Sequence, residues 1–152
     1  MNIYDRLEQL SITLPCPPGR GGIYTPVKQS GNMLYVSGQG PVVNGKPAYT
    51  GKAGGQRTVE EAQEAARICA INMLSVLNEY VGDLNRVKGV VKLLGFVESA
   101  PGFNEQPRVV NAASQLLVDI FGEDGWHARS AVGANELPSD ITVEIEGIFE
   151  LK

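Results

Sequence analysis

Cysteine, histidine and aromatic side chains are scarce in this chain of 152 residues, and their scarcity excludes several kinds of site. The two cysteines, Cys16 and Cys69, do not have the spacing of metal ligands, and His127 is the single histidine. A conventional zinc site is therefore excluded, because it needs a cluster of such ligands. We expect both cysteines to be reduced thiols, as in cytoplasmic proteins.

Long apolar runs and an excess of positive charge are also missing. The longest apolar stretch, Gly89 to Val97, is interrupted by Lys92 and is much shorter than a membrane span. The N-terminus has no basic region followed by an apolar one, so we expect no signal peptide and a cytoplasmic location. The net charge of −4 argues against nucleic acid as a partner, since phosphate binding needs concentrated positive charge.

The rest of the composition is that of a folded domain, with 43% hydrophobic and 20% charged residues. The length suits one domain, which we assign to residues 1–152. Residues 1–22 are interpreted as an N-terminal extension within it. A short helix is predicted over Met1–Leu10, and the Pro- and Gly-rich segment Pro15–Gly22 leads into the domain without regular structure.

The clearest predicted helix is Thr58–Tyr80. Thr58 and Glu61 have the spacing of a capping box, in which each side chain accepts a hydrogen bond from the backbone of the other residue. Gly82 is expected to end the helix. Apolar residues that recur every three or four positions predict one buried stripe: Ala62, Ala65, Cys69, Met73, Val76 and Tyr80.

The other predicted elements complete an α+β architecture. A second helix is predicted from Pro107, a residue that suits a first turn, to Gly122, and Val42–Gln56 is predicted to be a long surface loop. The order β-β-α-β-α-β-β predicts a mixed sheet with the two main helices on one face. The clearest strands are predicted at Met33–Ser37, Val87–Val97, Ala128–Ala134 and Ile141–Leu151.

The last predicted strand indicates what covers the second face of the sheet. Val143 and Ile145 alternate with Glu144 and Glu146, so the apolar residues face the helices and the carboxylates lie on the second face. If that face packs against another subunit, the carboxylates need cationic or hydrogen-bonding partners. Arg129, on what is expected to be the neighbouring strand, is the obvious candidate.

Arg129 and His127 are the side chains whose chemistry stands out. No nucleophile motif or phosphate loop is present in the sequence. Arg129 lies in an otherwise uncharged stretch, where a guanidinium is either a solvated edge charge or a fork for a carboxylate or phosphate. His127 lies two residues before it and shares its face if the strand is regular. A lone histidine is more often structural than catalytic.

Two segments resemble a known family. Gly31-Asn32-Met33-Leu34-Tyr35-Val36-Ser37-Gly38-Gln39 is similar to the G-N-x-x-x-x-S-G-Q segment of the Rid family of reactive intermediate deaminases, also called YjgF-like or L-PSP endoribonuclease-like. Ala128-Arg129-Ser130, Leu137-Pro138 and Val143-Glu144-Ile145-Glu146 resemble its C-terminal signature. The resemblance extends from Tyr24 to the C-terminus. The loop Val42–Gln56 and an insert at Ala100–Pro107 resemble a longer, YjgF/chorismate mutase-like branch.

The resemblance implies a chorismate mutase-like α+β fold and a homotrimer with clefts between subunits. It implies hydrolysis of enamine and imine intermediates, such as 2-imino acids, to 2-oxo acids and ammonia. The substrate would be a small molecule that carries a carboxylate. No metal, no organic cofactor and no membrane partner is implied.

The resemblance also assigns roles to individual residues. Arg129 matches the arginine that binds the substrate carboxylate, and Glu144 matches the glutamate that positions the attacking water. Tyr24 matches the aromatic residue that closes the cleft, and Asn111 matches a polar cleft residue. The remaining matches are the strand-end residues that line the site, Ser37 and Gly38.

The sequence departs from the family pattern at two positions and leaves two other functions open. Ala131 stands where many members have cysteine, so no thiol chemistry is expected there, and His127 replaces a common proline. One alternative is an RNA-cleaving protein, against which the acidic balance and single histidine argue. The other is a non-catalytic, ligand-binding or chaperone-like trimer that uses the same cleft.

Overall fold

The computed structural model describes residues 2–152. Its helices and strands, numbered along the chain, are α1 Ile3–Gln9, β1 Val27–Ser30, β2 Met33–Gln39, β3 Val42–Val43, β4 Lys46–Pro47, α2 Val59–Val81, β5 Val87–Glu98, α3 Gln106–Phe121, β6 Ala128–Ala134 and β7 Val143–Leu151. The helix predicted over 1–10 forms as α1, and Met1 lies outside the described residues. The mixed α+β architecture predicted from the sequence is confirmed.

The α2 helix begins and ends where local sequence signals place it. Thr58 Oγ1 accepts a hydrogen bond from Glu61 N at 3.1 Å, and Glu61 Oε1 accepts one from Thr58 N at 3.1 Å. Gly82 ends the helix with φ 77°, a left-handed conformation that favours glycine. The predicted stripe from Ala62 to Val76 is buried, but its last member, Tyr80, is 47% exposed. At this end of α2 the buried residue is Val81, and the exposed Tyr80 hydroxyl donates to Gln29 Oε1 at 3.0 Å.

The main sheet has five strands in the order β1-β2-β7-β5-β6. Only β5 and β6 pair in parallel, which makes the sheet mixed. The predicted loop Val42–Gln56 also contains a small hairpin, β3 and β4, turned by Asn44 and Gly45 with positive φ. An Asn-Gly pair is a strong hairpin signal because both residues tolerate this conformation.

The two faces of the sheet differ in what covers them. Helices α2 and α3 pack on one face, where Val143, Ile145 and Phe149 of β7 are fully buried. On the other face of a single chain, Tyr35 and Val132 remain 46% and 44% exposed. The predicted alternation along the last strand is therefore confirmed. None of the helices within residues 2–152 is long and apolar enough to cross a membrane.

Candidate functional site

Helix α3 holds the Arg129 guanidinium in place. Nη1 of Arg129 donates to Asn111 Oδ1 at 2.8 Å and to Ser114 Oγ at 3.1 Å, and Nη2 donates to Pro107 O at 3.4 Å. The three acceptors follow one another at helical spacing, so they lie along one side of α3. A guanidinium has five N–H donors, and these bonds use three of them. The Nε hydrogen and one Nη2 hydrogen make no hydrogen bond within residues 2–152, so both are available to a bidentate ligand.

His127 extends this network through Ser114. Nδ1 of His127 lies 2.6 Å from Gly125 O, and Nε2 lies 2.9 Å from Ser114 Oγ. A carbonyl only accepts, so Nδ1 carries the proton and Nε2 accepts from the Ser114 hydroxyl. That hydroxyl in turn accepts from Arg129. Burial and the nearby Arg129 charge lower the pKa of His127, although its bond to Gly125 opposes this shift, so the ring is held neutral.

The outer side of this network opens into a cavity of about 640 Å³. Gln63, Asn111, Ser114, His127 and Arg129 supply its polar wall. Trp126 forms an apolar rim and is 74% exposed. A cation with two free donors beside an apolar rim can bind a small carboxylate that carries a short apolar side chain. We call this cavity and its lining the arginine pocket.

Glu144 lies in a second cavity, on the other face of the sheet. Its side chain crosses the backbone of β2 at Gly38, where a Cβ atom would lie 2.7 Å from Glu144 Oε2. Glycine at position 38 is thus needed for the carboxylate to reach this place. Half-burial, with a smaller contribution from the charge of Glu146, raises the pKa of Glu144.

The lead-in segment and the end of β2 form the walls around Glu144. Tyr24 lines this cavity together with Ser37 and Gly38, and Gly21 N donates to the Tyr24 hydroxyl at 3.0 Å. Ser37 Oγ donates to Thr25 O at 2.7 Å, which fastens the lead-in to the strand. We call this cavity and its lining the glutamate pocket.

The predicted site residues therefore form two groups that a single chain does not bring together. Arg129 pairs with Leu93 of β5, which faces the helices, whereas Glu144 pairs with Phe96, three positions further along β5. Because Leu93 and Phe96 are separated by an odd number of positions along one strand, their partners Arg129 and Glu144 lie on opposite faces of the sheet. The expectation that the strands of Arg129 and Glu144 are neighbours is wrong, because β5 lies between β6 and β7. Arg129 accordingly binds α3 and not the carboxylates of β7.

Sequence reasoning missed Gln63, Trp126 and Ser114 of the arginine pocket, and Ser114 is the one that joins its hydrogen-bond network. It is the one side chain that bonds both Arg129 and His127 in the described residues. Its signal in the sequence was its position three residues after Asn111 on the same helix, which places both side chains on one face. A serine in a helix has many other uses, so this spacing alone did not distinguish it.

Comparison with known proteins gives the chain a family. The family model described as "YjgF/chorismate mutase-like, putative endoribonuclease" matches residues 5–145. A protein of unknown function from Agrobacterium tumefaciens has a crystal structure that is 46% identical, with a TM-score of 0.92 over 99% of this chain and 92% of that one. A putative endoribonuclease from Shewanella oneidensis is 31% identical, with a TM-score of 0.96 over 99% of this chain and 100% of that one.

A curated relative has a name that states an activity. The 2-iminobutanoate/2-iminopropanoate deaminase of Dermatophagoides farinae is 33% identical over 142 residues, which cover 93% of this chain and 95% of the relative. The match to the family model covers most of the chain, and the relatives align along nearly their whole length. By this evidence the chain belongs to the YjgF/chorismate mutase-like family, whose members include proteins named for imine deamination and for endoribonuclease activity.

Proposed function

We propose that the protein hydrolyses 2-imino acids to 2-oxo acids and ammonia, at sites formed between the subunits of a homotrimer. The observation that carries this proposal is the division of the site into an arginine pocket and a glutamate pocket on opposite faces of one sheet. Each pocket holds one half of the chemistry that the reaction needs. The deaminase named among the relatives supports the choice of reaction.

A small substrate needs both halves at once, and one chain separates them by the thickness of its sheet. A second copy that docks its arginine pocket against the glutamate pocket of the first supplies both. The uncovered sheet face supports such packing, because Tyr35 and Val132 expose apolar surface there. A closed ring of identical contacts repeats the same site at each interface.

Binding of substrate is assigned to Arg129. Its two remaining N–H donors bind the substrate carboxylate as a fork, while Asn111 and Ser114 fix the plane of the guanidinium. Holding the carboxylate in one orientation also fixes the position of the adjacent imine carbon. Trp126 offers an apolar surface to the substrate side chain.

Activation of water is assigned to Glu144 of the neighbouring subunit. Water adds to the imine carbon: a C–O bond forms, the C=N electron pair moves to nitrogen, and Glu144 takes the proton that water loses. The nitrogen takes this proton back from Glu144 and a second proton from solvent, the C–N bond breaks with loss of ammonia, and the remaining hydroxyl proton passes to solvent to give the 2-oxo acid. The half-burial that raises the pKa of Glu144 makes its carboxylate a better proton acceptor near neutral pH.

A coupled assay tests the reaction. A dehydratase that generates 2-iminopropionate or 2-iminobutyrate is combined with the protein, and trapping of the imine as a semicarbazone competes with formation of the 2-oxo acid. We expect the protein to lower semicarbazone yield and to speed oxo-acid release. Wild-type protein that binds 2-oxobutyrate without turnover would identify a passive binder, and cleavage of RNA without imine turnover would favour the endoribonuclease alternative.

Mixing two inactive variants tests the position of the site. Arg129→Ala and Glu144→Gln are unfolded and refolded together in equal amounts. In a cyclic trimer every mixed ring contains one interface with both native residues, so about a quarter of the sites should be restored. No recovery above either variant alone, or a stable monomer in sedimentation at micromolar concentration, would show that the site does not lie between subunits.

A further inference from the structure

Glu98 is a buried carboxylate with an unsatisfied oxygen. It lies at the end of β5 and has no exposed surface in the chain. Oε1 accepts a hydrogen bond from Leu137 N at 2.9 Å, whereas Oε2 has no hydrogen-bond partner within residues 2–152. An unpartnered buried carboxylate oxygen is costly, so a favourable partner of some kind is expected there.

Two further carboxylates converge on Glu98. Glu98, Glu136 and Asp140 each have one carboxylate oxygen that lies within 4.8 Å of the corresponding oxygens of the other two. Glu136 and Asp140 are exposed, which gives an ion a route from solvent to the buried Glu98. The three side chains come from the end of β5 and from the turn before β7.

A hydroxyl lies beside this cluster on the adjacent strand segment. Thr142 is fully buried, and its Oγ1 also has no hydrogen-bond partner among residues 2–152. Glu98 N donates to Thr142 O at 2.9 Å, so the two residues are opposite each other across the sheet. Directly opposed residues point to the same face of a sheet, so the Thr142 and Glu98 side chains share a face.

Within residues 2–152, Lys52 forms the salt bridge to this cluster. Lys52 Nζ lies 3.5 Å from Glu136 Oε1, at the exposed edge. Burial raises the pKa of Glu98, and the bond from Leu137 N opposes this; a side-chain hydrogen bond with Asp140 and the charges of Asp140 and Glu136 raise the pKa further. One lysine does not balance three carboxylates, so either a shared proton or a bound cation must relieve the remaining repulsion.

We propose that Glu98, Glu136 and Asp140 bind a hard divalent cation of the Ca²⁺ class. Ca²⁺ takes carboxylate, hydroxyl and water oxygens at about 2.3–2.6 Å, so opposite ligands are about 4.8 Å apart and the cluster accommodates the ion with little movement. Mg²⁺ requires a shorter, more regular octahedron, which three carboxylates held by a turn and a strand fit less well.

The bound ion would fix one wall of the glutamate pocket. Pro138, Ser139 and Ile141 line that pocket, and they lie between or beside two of the proposed ligands, Glu136 and Asp140. Ser139 and Asp140 both have positive φ, 58° and 57°, a conformation that costs energy in these residues. A cation that ties Asp140 to the buried Glu98 would stabilise this turn. The inference does not depend on the proposed deaminase activity.

Thermal unfolding of the full-length protein, stripped of metal with a chelator, tests the proposal. CaCl2 is compared with NaCl at equal ionic strength, and isothermal titration calorimetry measures binding of Ca²⁺ directly. At a hundredfold excess over Kd, binding to the folded state should raise the midpoint by about 5–10 °C. No midpoint shift beyond the NaCl control, and no binding heat, would overturn the proposal. A shift with MgCl2 but none with CaCl2 would overturn the assignment to the Ca²⁺ class.

Variants connect the effect to the cluster. Glu98→Gln keeps the size of the side chain and should lose the Ca²⁺-dependent shift, whereas Glu64→Gln, an exposed change on α2, should retain it. Asp140→Asn provides a second test if Glu98→Gln does not fold, because asparagine tolerates the positive φ at this position. An equal shift in wild type and in the folded cluster variants would place binding elsewhere. A pH dependence of the midpoint that Glu98→Gln removes, without any Ca²⁺ effect, would show that a shared proton stabilises the cluster instead.

Discussion

The arginine pocket and the glutamate pocket hold their charged groups by different means. Arg129 is fixed by three hydrogen bonds to α3, and one of its acceptors, Ser114, is itself oriented by His127. Glu144 is placed by half-burial and by its close approach to the backbone of Gly38. The first group is preorganised by a network within the chain, whereas the position of the second depends on the absence of a side chain next to it.

This difference predicts which substitutions impair the function of each pocket. Neighbouring residues fix the guanidinium in the orientation that binds a ligand. A lysine has the same charge but cannot make the same set of contacts, so it does not replace the arginine. The glutamate pocket is sensitive to small additions of volume as well as to loss of charge.

Glu144→Gln should lower imine turnover by about 10²–10⁴-fold, the usual range for a group that accepts a proton in the reaction. Affinity for 2-oxobutyrate should be retained, because Arg129 is unchanged and the size of residue 144 is nearly the same. Turnover in the coupled assay, ligand binding and oligomer mass are measured together. Glu150→Gln is the control, since Glu150 lies on the same strand face and pairs with Lys88 at 3.9 Å.

Two results would contradict this role for Glu144. Unchanged turnover in an intact oligomer would show that another group activates the water. A smaller oligomer would show that the carboxylate is structural, because breaking a buried charge pair between subunits leaves the partner charge unpaired.

Arg129→Ala should weaken transition-state binding by about 2–5 kcal/mol, the cost of removing one partner of a buried, hydrogen-bonded charge pair. Arg129→Lys should recover little of this, because an ammonium is not a planar fork and does not reproduce the contacts to Asn111 and Ser114. kcat/KM is measured for both variants. Arg108→Ala, which removes an exposed arginine of α3, serves as control. Full activity in Arg129→Lys would be incompatible with bidentate binding of a carboxylate.

Gly38→Ala should lower kcat by up to about 10²-fold with the fold intact, because the new Cβ displaces the end of a flexible side chain, Glu144, and small misplacements of a catalytic group are costly. Gly19→Ala is the matched control: it lies in the same pocket, and a Cβ there meets nothing within 4 Å. A crystal structure of Gly38→Ala with Glu144 unmoved, or equal loss in both variants, would contradict this explanation.

The smallest expected effect concerns pH and the arginine pocket. Because folding lowers the pKa of His127, the unfolded chain binds more protons between the folded pKa and the ordinary value of about 6.5. The stability that the neutral ring contributes is therefore complete above about pH 6.5 and is lost as the pH falls through the folded pKa. We expect a contribution below about 1 kcal/mol, since the ring is half-exposed to solvent.

Urea unfolding of wild type and His127→Gln at pH 7.5 and 5.5 measures this contribution. The wild type should lose more stability than the variant on going to the lower pH. Subtracting the variant cancels the contributions of other groups, including Glu98 and Glu144, whose raised pKa values act in the opposite direction. Equal losses in both proteins would show that burial and the Arg129 charge do not lower the pKa of His127 in the folded chain.

Much of the fold could be predicted because its signals are local. The capping box of α2 and its terminal Gly82 depend on residues within one helical turn, and both form as expected. The alternation of Glu144 with Val143 and Ile145 follows from strand geometry alone. Tyr80 shows the limit of this reasoning: its spacing continues the stripe, but at the end of α2 the next residue, Val81, is the one that packs in the core, and Tyr80 stays exposed.

The chemical groups that the protein carries, and the helix or strand that holds each, follow from the sequence, because caps, glycines and periodicity act over a few residues. The placement of these groups relative to one another depends on tertiary structure. The register of β5 with β6 and β7 puts Arg129 and Glu144 on opposite faces, and Arg129 meets Ser114 across 15 positions of chain. Glu98 meets Leu137 across 39 positions. Such contacts depend on strand order and packing between distant segments, which local propensity does not encode.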